Sequence, residues 1–305
     1  MEIKKMGIMG MGAIGGIYGK ELMNTFGDDF YAVADGERGE RLKKNGIKVN
    51  GDTIFPKVLS TTNPETKLDF LILAIKNYQL EESFSEIRNI IHKDTIILPL
   101  LNGVTATERI KKDFPENEVL RGLVYITAEK RENGEIYSNN KGTITFGDTE
   151  NKELSQSVKL IKDIFDKAGI NYNIPEDMIS AQWRKWIINI GSNQVSAIVR
   201  NGYGKFLEIE ELNKVLKNAM FEVVEVAKAC GVYLPVEDVD GYDERLKVSQ
   251  PDLKTSTLQD IENKRRTEIE YFAGDLIRMA KKVGVSVPVN ETLYYLIKSI
   301  EKMYS

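Results

Sequence analysis

The 305-residue sequence predicts an α/β domain with a doubly wound parallel sheet, followed by an all-α domain. A short apolar run, three spaced glycines and a helical pattern open the chain. Apolar strands then alternate with helical segments as far as residue 174, which is typical of a parallel sheet covered by helices. From Pro175 onward the pattern is helical with little strand character. We therefore expect two domains, 1–174 and 175–305, which also suits the chain length.

The individual elements follow from local patterns in chain order. In the first domain, the predicted strands are 6–9, 29–34, 47–49, 53–55, 69–75, 95–101, 119–128 and 142–147, with 170–174 as a candidate to close the sheet. The predicted helices of this domain are 13–26, 38–45, 79–91 and 153–168. Segment 69–75 is nearly all apolar, as expected for a central strand that is buried on both faces. Asn50-Gly51-Asp52 separates 47–49 from 53–55 and is typical of a hairpin turn.

The second domain is predicted to consist of helices alone. The expected segments are 177–199, 208–230, shorter pieces within 236–258, 262–283 and 290–303. Pro235 and Pro288 each fall at a predicted helix start, where proline is tolerated. We find no internal repeat and no low-complexity segment.

Bulk composition excludes several classes of protein. The net charge of −4 gives no reason to expect nucleic acid or an anionic membrane as a partner, and no apolar run is long enough to span a bilayer. One cysteine, Cys230, permits no intrachain disulfide, so a cytoplasmic setting is the expectation, and the N-terminus does not resemble a signal peptide. With His92 as the only histidine, a usual zinc site and a Ser–His–Asp triad are both excluded, so no metal is expected.

The three glycines after the first strand occur at a spacing with a physical meaning. The segment is Gly10-Met11-Gly12-Ala13-Ile14-Gly15. Gly10 permits a tight strand-to-helix turn, the missing Cβ of Gly12 lets the backbone approach a pyrophosphate, and Gly15 lets the helix pack near the strand. Free N–H groups and the positive end of the helix dipole would face the phosphates. Asp35 follows Gly15 by twenty residues, so the pattern predicts a Rossmann-type dinucleotide site, with an ordinary glycine-rich turn as the alternative.

Two further candidates stand at strand ends, where ligands bind in open α/β sheets. Lys76 follows the predicted strand 69–75 and could meet a phosphate or a carboxylate. Asn102 follows the strand 95–101. The alternatives are a solvated lysine at a helix start and a common Asn-Gly turn.

The helical half carries a polar stripe on an otherwise apolar helix. Lys185, Asn189 and Asn193 are spaced four residues apart, which puts them on one helix face. Because the residues between them are largely apolar, these polar groups need partners. A polar contact between domains is the alternative to a ligand site.

A second polar stretch runs from Ser256 to Glu270. Glu262, Arg266 and Glu270 fit an ordinary charged face of a helix, and Glu268 is offset from that face.

Taken together, these stretches resemble the ketopantoate reductase family over both halves of the chain. The resemblance rests on GxGxxG, Leu73-Ala74-Ile75-Lys76, Asn102-Gly103, Lys141-Gly-Thr-Ile-Thr-Phe-Gly147, Trp183-x-Lys185-x-x-x-Asn189-x-x-x-Asn193, Ser256-x-Leu258-x-Asp260 and Thr267-Glu268-Ile269. The motifs of the helical half are the discriminating ones, because dinucleotide-binding proteins do not share them in general.

The resemblance implies an NADPH-dependent reduction of the C2 carbonyl of a small 2-oxo acid, ketopantoate. It implies that Lys185 is the general acid and that Glu268 helps to bind substrate and completes the site. Asn189, Asn193 and Ser256 correspond to substrate-binding positions, and Lys76 and Asn102 to the nicotinamide and substrate end of the cleft. A homodimer is compatible with it. A lysine suits the acid role, since its ordinary pKa of ~10.4 keeps it charged at neutral pH.

Two positions depart from the family pattern. Asp35 stands where an arginine usually meets the 2′-phosphate of NADP. A carboxylate accepts hydrogen bonds from a ribose diol and repels a phosphate, which favours NAD(H), although Arg38 and Arg41 follow closely. Gln194 stands where proline is common, which bears on substrate detail and not on the reaction class.

Two other functions are consistent with the sequence. A reductase of a different small 2- or 3-oxo acid would keep Lys185 and change the pocket. A non-catalytic dinucleotide-binding sensor would keep the glycine turn but would not need Lys185 together with Glu268.

Overall fold

The computed structural model describes residues 2–131, 133–247 and 251–304. The chain divides into two compact units, of which the first comprises Met1–Asn102 and Ala106–Met178. The second comprises Gly103–Thr105 and Ile179–Ser305.

The strands all belong to the first unit, as far as the described ranges go. They are β1 (Met6–Met9), β2 (Phe30–Val33), β3 (Ile47–Val49), β4 (Asp52–Ile54), β5 (Lys57–Leu59), β6 (Leu68–Leu73), β7 (Ile91–Pro99), β8 (Glu118–Val119), β9 (Arg121–Tyr125), β10 (Ala128–Lys130), β11 (Ile136–Ser138), β12 (Thr143–Gly147) and β13 (Tyr172–Asn173). Six of them form a sheet in the order β5-β2-β1-β6-β7-β8, and every pair in it is parallel. The strand order reverses between β1 and β6, and such a switch point is where open α/β sheets bind ligands.

Helices cover both faces of this sheet, which confirms the predicted doubly wound α/β architecture. They are α1 (Ala13–Phe26), α2 (Gly36–Asn45), α3 (Phe84–Ile90), α4 (Ala106–Asp113) and α5 (Gln156–Ala168). Alternate strand residues point to opposite faces. Phe70 of β6 packs in one apolar cluster with Phe165 of α5, whereas the next residue, Leu71, packs in another with Ile87 of α3.

Several elements of this unit differ from the prediction. Strand β5 and helix α4 were not predicted, because β5 has three residues and the eight-residue α4 buries a single large apolar side chain, Ile110. The helix predicted at 79–91 is instead a 3₁₀ turn at Asn77–Gln79 followed by α3, and Ile91 already begins β7.

The smaller sheets correct two further predictions. Segment 119–128 is divided between β8, at the edge of the main sheet, and β9, which pairs antiparallel with β12. Segment 170–174 does not close the main sheet, because β13 pairs with β12 in a separate three-stranded sheet. The predicted hairpin is confirmed, since β3 and β4 pair antiparallel around Asn50 and Gly51.

The regular elements in the described part of the second unit are all helices, as predicted. Its helices are α6 (Met178–Ile188, which begins in the first unit), α7 (Gln194–Val199), α8 (Lys205–Glu208), α9 (Glu210–Ala229), α10 (Glu237–Asp240), α11 (Tyr242–Lys247), α12 (Ser256–Glu262), α13 (Ala273–Val283) and α14 (Pro288–Tyr304). Trp186, Met220 and Phe272 belong to its large apolar core. Within the ranges described, no helix combines the length and the apolar character that crossing a membrane would require.

The predicted helix 262–283 is wrong in its first part. Helix α12 ends at Glu262, and Lys264 adopts a left-handed backbone conformation with φ of 51°. The N–H of Lys264 bonds to the carbonyl of Ile261, and the N–H of Arg265 bonds to that of Asp260, which is the Schellman arrangement of a helix end. Residues 262, 266 and 270 therefore do not share a helix face.

Candidate active site

The glycine turn between β1 and α1 has the geometry that a pyrophosphate site needs. Gly10 has φ of 101°, and a Cβ there would lie 2.6 Å from the carbonyl oxygen of Ala74 at the end of β6. A Cβ on Gly15 would lie 2.0 Å from the carbonyl oxygen of Gly10, so both positions require glycine. A Cβ on Gly12 would meet nothing within 4 Å, so the space beside that backbone is open.

The residues between these glycines supply mainly backbone groups. The Met11 side chain is buried and lies against Gly19 of α1. The N–H groups of the first helical turn, which begins at Ala13 and Ile14, have no acceptor within the helix. Their dipole end attracts an anion, so the open turn fits the diphosphate of a dinucleotide.

Asp35 follows β2 and stands at the start of α2, next to the strand that leads into the glycine turn. Its carboxylate accepts hydrogen bonds from the Ser60 hydroxyl (2.5 Å), from the Thr61 N–H (3.0 Å) and from the Thr61 hydroxyl. Burial alone would raise the pKa of Asp35, but these hydrogen bonds outweigh it and hold the pKa below its ordinary value. The carboxyl group is therefore ionised at neutral pH. A ribose that binds Asp35 would share this carboxylate with Ser60 and Thr61, in the loop after β5.

Two arginines on α2 offer a different kind of ligand. Arg38 and Arg41 are both exposed, and neither pairs with a carboxylate within the part of the chain that the structure describes. Loss of hydration and then the like charge of Arg41 lower the pKa of Arg38. A doubly charged phosphate bound between these two arginines would offset the repulsion between their like charges.

Lys76 and Asn102 stand at the carboxyl ends of neighbouring strands, as expected. A buried side chain, Asn77, connects the two loops by donating a hydrogen bond to the carbonyl of Asn102 at 2.8 Å. Arg109 of α4 in turn donates to the side-chain oxygen of Asn77 (2.9 Å) and to the Glu81 carboxylate (2.6 Å). Lys76 is half-buried. These contacts bring the loops after β6 and β7 together.

In the second unit, Lys185 lies on α6 near its carboxyl end, and its environment changes its acidity. Loss of hydration lowers the pKa of Lys185 to about 8, and the nearby negative charge of Glu268 opposes that shift. Glu268 itself is buried, with 4% of its surface exposed. The structure thus brings together the two residues that the sequence singled out for chemistry. A lysine with a pKa close to neutral is a better proton donor than one at ~10.4, because less free energy is needed to remove its proton.

One turn further along, the helix widens. Asn189–Asn193 form a π-helical turn between α6 and α7, a distortion that often marks functional sites. The Asn193 amide still donates to the Asn189 side-chain oxygen at 3.4 Å. The oxygen of Asn193 accepts from the Ser256 hydroxyl and from the Thr257 N–H, each at 3.1 Å.

These hydrogen bonds join the three predicted substrate-binding residues, and they divide the roles among them. Asn193 is buried and bonds to the first turn of α12, so it holds Ser256 in position. Ser256 is exposed and Asn189 half-exposed. Both can therefore meet a ligand, whereas Asn193 acts mainly through its neighbours.

Glu268 is held by contacts that the sequence did not reveal. The N–H and hydroxyl of Thr267 both donate to the Glu301 carboxylate of α14 at 2.7 Å. On the other side, the Trp186 indole N–H donates to the Tyr271 carbonyl at 3.2 Å. The segment that carries Glu268 is therefore fastened both to α14 and to the helix that carries Lys185.

The substitution at Gln194 has a packing explanation. The side chain is fully buried, and its amide donates to the Ile190 carbonyl (2.9 Å) and to the Asn290 side-chain oxygen (2.8 Å). Gln194 thus connects the π-helical turn to α14 inside the core. The departure from proline therefore affects helix packing directly.

The contacts of the residues that hold the site in place could not be predicted from motifs in the sequence. Asn77, Arg109, Ser60, Thr61 and Glu301 each act on a partner at least 25 residues away, and none belongs to a motif that implies such a partner. Thr267 was part of a recognised motif, but its partner was not predictable.

The fold and these two clusters define a class of protein, the NAD(P)H-dependent oxidoreductases that act on a CH–OH group. The family model "Ketopantoate reductase PanE/ApbA" matches residues 6–151, and the model for the C-terminal part of the same family matches 177–301. The chain belongs to the ketopantoate reductase family.

Individual relatives agree over nearly the whole chain. The 2-dehydropantoate 2-reductase of Pyrococcus horikoshii is 28% identical over 98% of this chain and 98% of its own. The crystal structure of 2-dehydropantoate 2-reductase from Methylococcus capsulatus has a TM-score of 0.86 at 28% identity and covers 99% of this chain and 98% of its own. A ternary structure of D-mandelate dehydrogenase with NADH and anilino(oxo)acetate has a TM-score of 0.89 at 25% identity and covers 98% of this chain and 99% of that chain.

Proposed function

We propose that this protein is a 2-dehydropantoate 2-reductase, which reduces the C2 carbonyl of ketopantoate to give pantoate with NAD(P)H. The observation that carries the proposal is the position of Lys185 near buried Glu268, where loss of hydration lowers the pKa of the lysine to about 8 and the charge of Glu268 opposes that shift. A sensor that only binds a dinucleotide has no need of such a proton donor.

The proposed chemistry divides among the residues of each unit. The glycine turn binds the dinucleotide, which when bound supplies the hydride. Lys185 donates a hydrogen bond to the carbonyl oxygen of the oxo acid, polarises the carbonyl and then gives its proton to the developing alkoxide. Glu268 keeps the lysine ammonium charged and contributes to substrate binding. Asn189 and Ser256 bind the polar groups of the acid.

A second substrate class is favoured by one comparison. The D-mandelate dehydrogenase match shows that this fold also serves the oxidation of an aromatic 2-hydroxy acid in a relative. Steady-state turnover of ketopantoate and of phenylglyoxylate, with NADPH and NADH in parallel, separates the two. We expect kcat/KM to be highest with ketopantoate, and a clear preference for the aromatic acid would replace our proposal with the second.

Substrate recognition gives a testable prediction in the helical unit. Ser256→Ala is expected to raise the KM for the oxo acid by about three- to tenfold, the usual effect of losing one hydrogen bond. Dinucleotide affinity should change little. Asn193→Ala should raise the same KM and also lower the thermal unfolding midpoint, because the buried Thr257 N–H loses its acceptor. A variant with a normal oxo-acid KM and poor dinucleotide binding would contradict these assignments.

Cofactor preference gives a prediction in the first unit. We expect NADH to be used at least comparably with NADPH, because Asp35 is an ionised carboxylate at the end of β2. Asp35→Arg should shift the preference toward NADPH, measured as the ratio of the two kcat/KM values. Arg38→Ala and Arg41→Ala serve as matched variants. If the parent strongly prefers NADPH and only the two arginine variants lose that preference, then α2 recognises the 2′-phosphate.

The homodimer, the cytoplasmic location and the division of roles between residues 1–174 and 175–305 remain predictions.

A further inference from the structure

A cationic cavity lies beside the carboxyl end of α14, within the second unit. It has a volume of about 330 Å³ and is lined by Lys264, Arg266, Lys298, Glu301, Lys302 and Tyr304. Four cationic side chains and one carboxylate line it, whereas the whole chain carries a net charge of −4. The cavity therefore concentrates positive charge against the overall charge of the protein.

Two of these cations have no partner in the described residues. Lys264 and Lys302 are exposed, and within the described residues their side chains form no ion pair and no hydrogen bond. Lys298 instead bridges Glu270 (3.1 Å) and Glu301 (3.2 Å). An anion in the cavity would meet two cations whose charge is not already compensated.

The backbone at Lys264 is a second, independent observation. Lys264 has φ of 51° and occupies the left-handed position of the Schellman turn that ends α12. Glycine is strongly favoured at this position, because a Cβ is strained there. A lysine at a site where glycine would be easier is consistent with a role for its side chain.

We propose that this cavity binds a small phosphate-class oxyanion. Lys264 and Lys302 are its chief ligands, and Lys298 and Arg266 also line the cavity. The ligand is either free phosphate or the phosphate group of a small metabolite. The site is separate from the pyrophosphate turn and from the residues of the proposed reaction. Its wall includes Glu301, whose carboxylate accepts hydrogen bonds from Thr267, the neighbour of Glu268.

The test uses the full-length protein saturated with dinucleotide, so that the glycine turn cannot bind the added anion. Isothermal titration calorimetry measures the binding of inorganic phosphate and, in a second arm, of glycerol phosphate, against chloride at matched ionic strength. We expect saturable binding of at least one phosphate compound. Tighter binding of glycerol phosphate indicates a phosphorylated metabolite, and tighter binding of inorganic phosphate indicates the free anion.

Three variants make the result specific. Lys264→Gly and Lys302→Gln should each weaken the binding about tenfold, the effect of one charged hydrogen bond. Glycine fits the left-handed turn, so Lys264→Gly should not lower the thermal unfolding midpoint in chloride. Arg200→Gly is the matched control, because Arg200 is also an exposed cation with a left-handed backbone (φ of 54°) and lies outside the cavity. Absence of phosphate-specific binding, or equal affinities in the parent and both lysine variants, would overturn the proposal.

Discussion

Lys185→Ala is expected to lower kcat for oxo-acid reduction by roughly 10²–10⁴-fold, the usual effect of removing a positioned general acid. Lys185 is the general acid of the proposed reaction, and its lowered pKa suits it to donate a proton near neutral pH. His92 is bonded to Asp69 at the far end of β6 and β7 from Lys76 and Asn102, so it offers no substitute donor. The measurement is steady-state kinetics with ketopantoate.

Two controls accompany this variant. Dinucleotide binding, measured by fluorescence, should be retained, because the glycine turn lies in the other unit. Lys185→Arg should recover little activity, since a guanidinium remains charged but does not release its proton near neutral pH. A Lys185→Ala enzyme within a few-fold of the parent would show that the proposed mechanism is wrong.

Glu268→Ala is expected to cause the second largest loss, with a larger share in the KM of the oxo acid than Lys185→Ala shows. The carboxylate is buried. Its charge raises the pKa of Lys185 and so partly offsets the lowering caused by loss of hydration. Removing that charge should lower the pKa of the lysine further. The fraction of enzyme with a protonated Lys185 at neutral pH should then fall.

Glu268→Gln is the matched variant, because it keeps the size of the side chain and removes only the charge. Its rate should recover at lower pH, where the lysine is protonated again, and a pH series of kcat/KM measures this. If the Gln variant has the same pH dependence as the parent, Glu268 does not act on Lys185 through its charge.

The sequence predicted those features of the fold and site that depend on nearby residues. The glycine turn is one example, because a strand, three glycines and a helix within about twenty residues leave few other structures. The polar stripe at residues 185, 189 and 193 is another. Asn189 and Asn193 remain hydrogen-bonded across the π-helical turn, which a spacing of four residues could not reveal.

The features that the sequence did not predict depend on unusual local geometry or on distant contacts. The end of α12 was not predicted because Lys264 occupies a left-handed turn position that is usually taken by glycine. Glu301 was missed because its spacing from Lys298 suggests an ordinary surface pair, whereas it bonds to Thr267, 34 residues away. The hydrogen bonds from Ser60 and Thr61 to Asp35 likewise depend on the pairing of β5 with β2.

The most direct test of the central claim, that Lys185 gives its proton to the substrate oxygen, is the pH dependence of kcat/KM in both directions of the reaction. Oxo-acid reduction requires the protonated lysine, so kcat/KM should be constant below the pKa and should fall about tenfold per pH unit above pH 8. Oxidation of the hydroxy acid requires the neutral lysine, so kcat/KM should rise with pH up to the same value and then level off. Mirror-image profiles with a common midpoint near pH 8 are the predicted result. A reduction profile that stays flat through pH 9 would contradict the assignment of Lys185 as the proton donor.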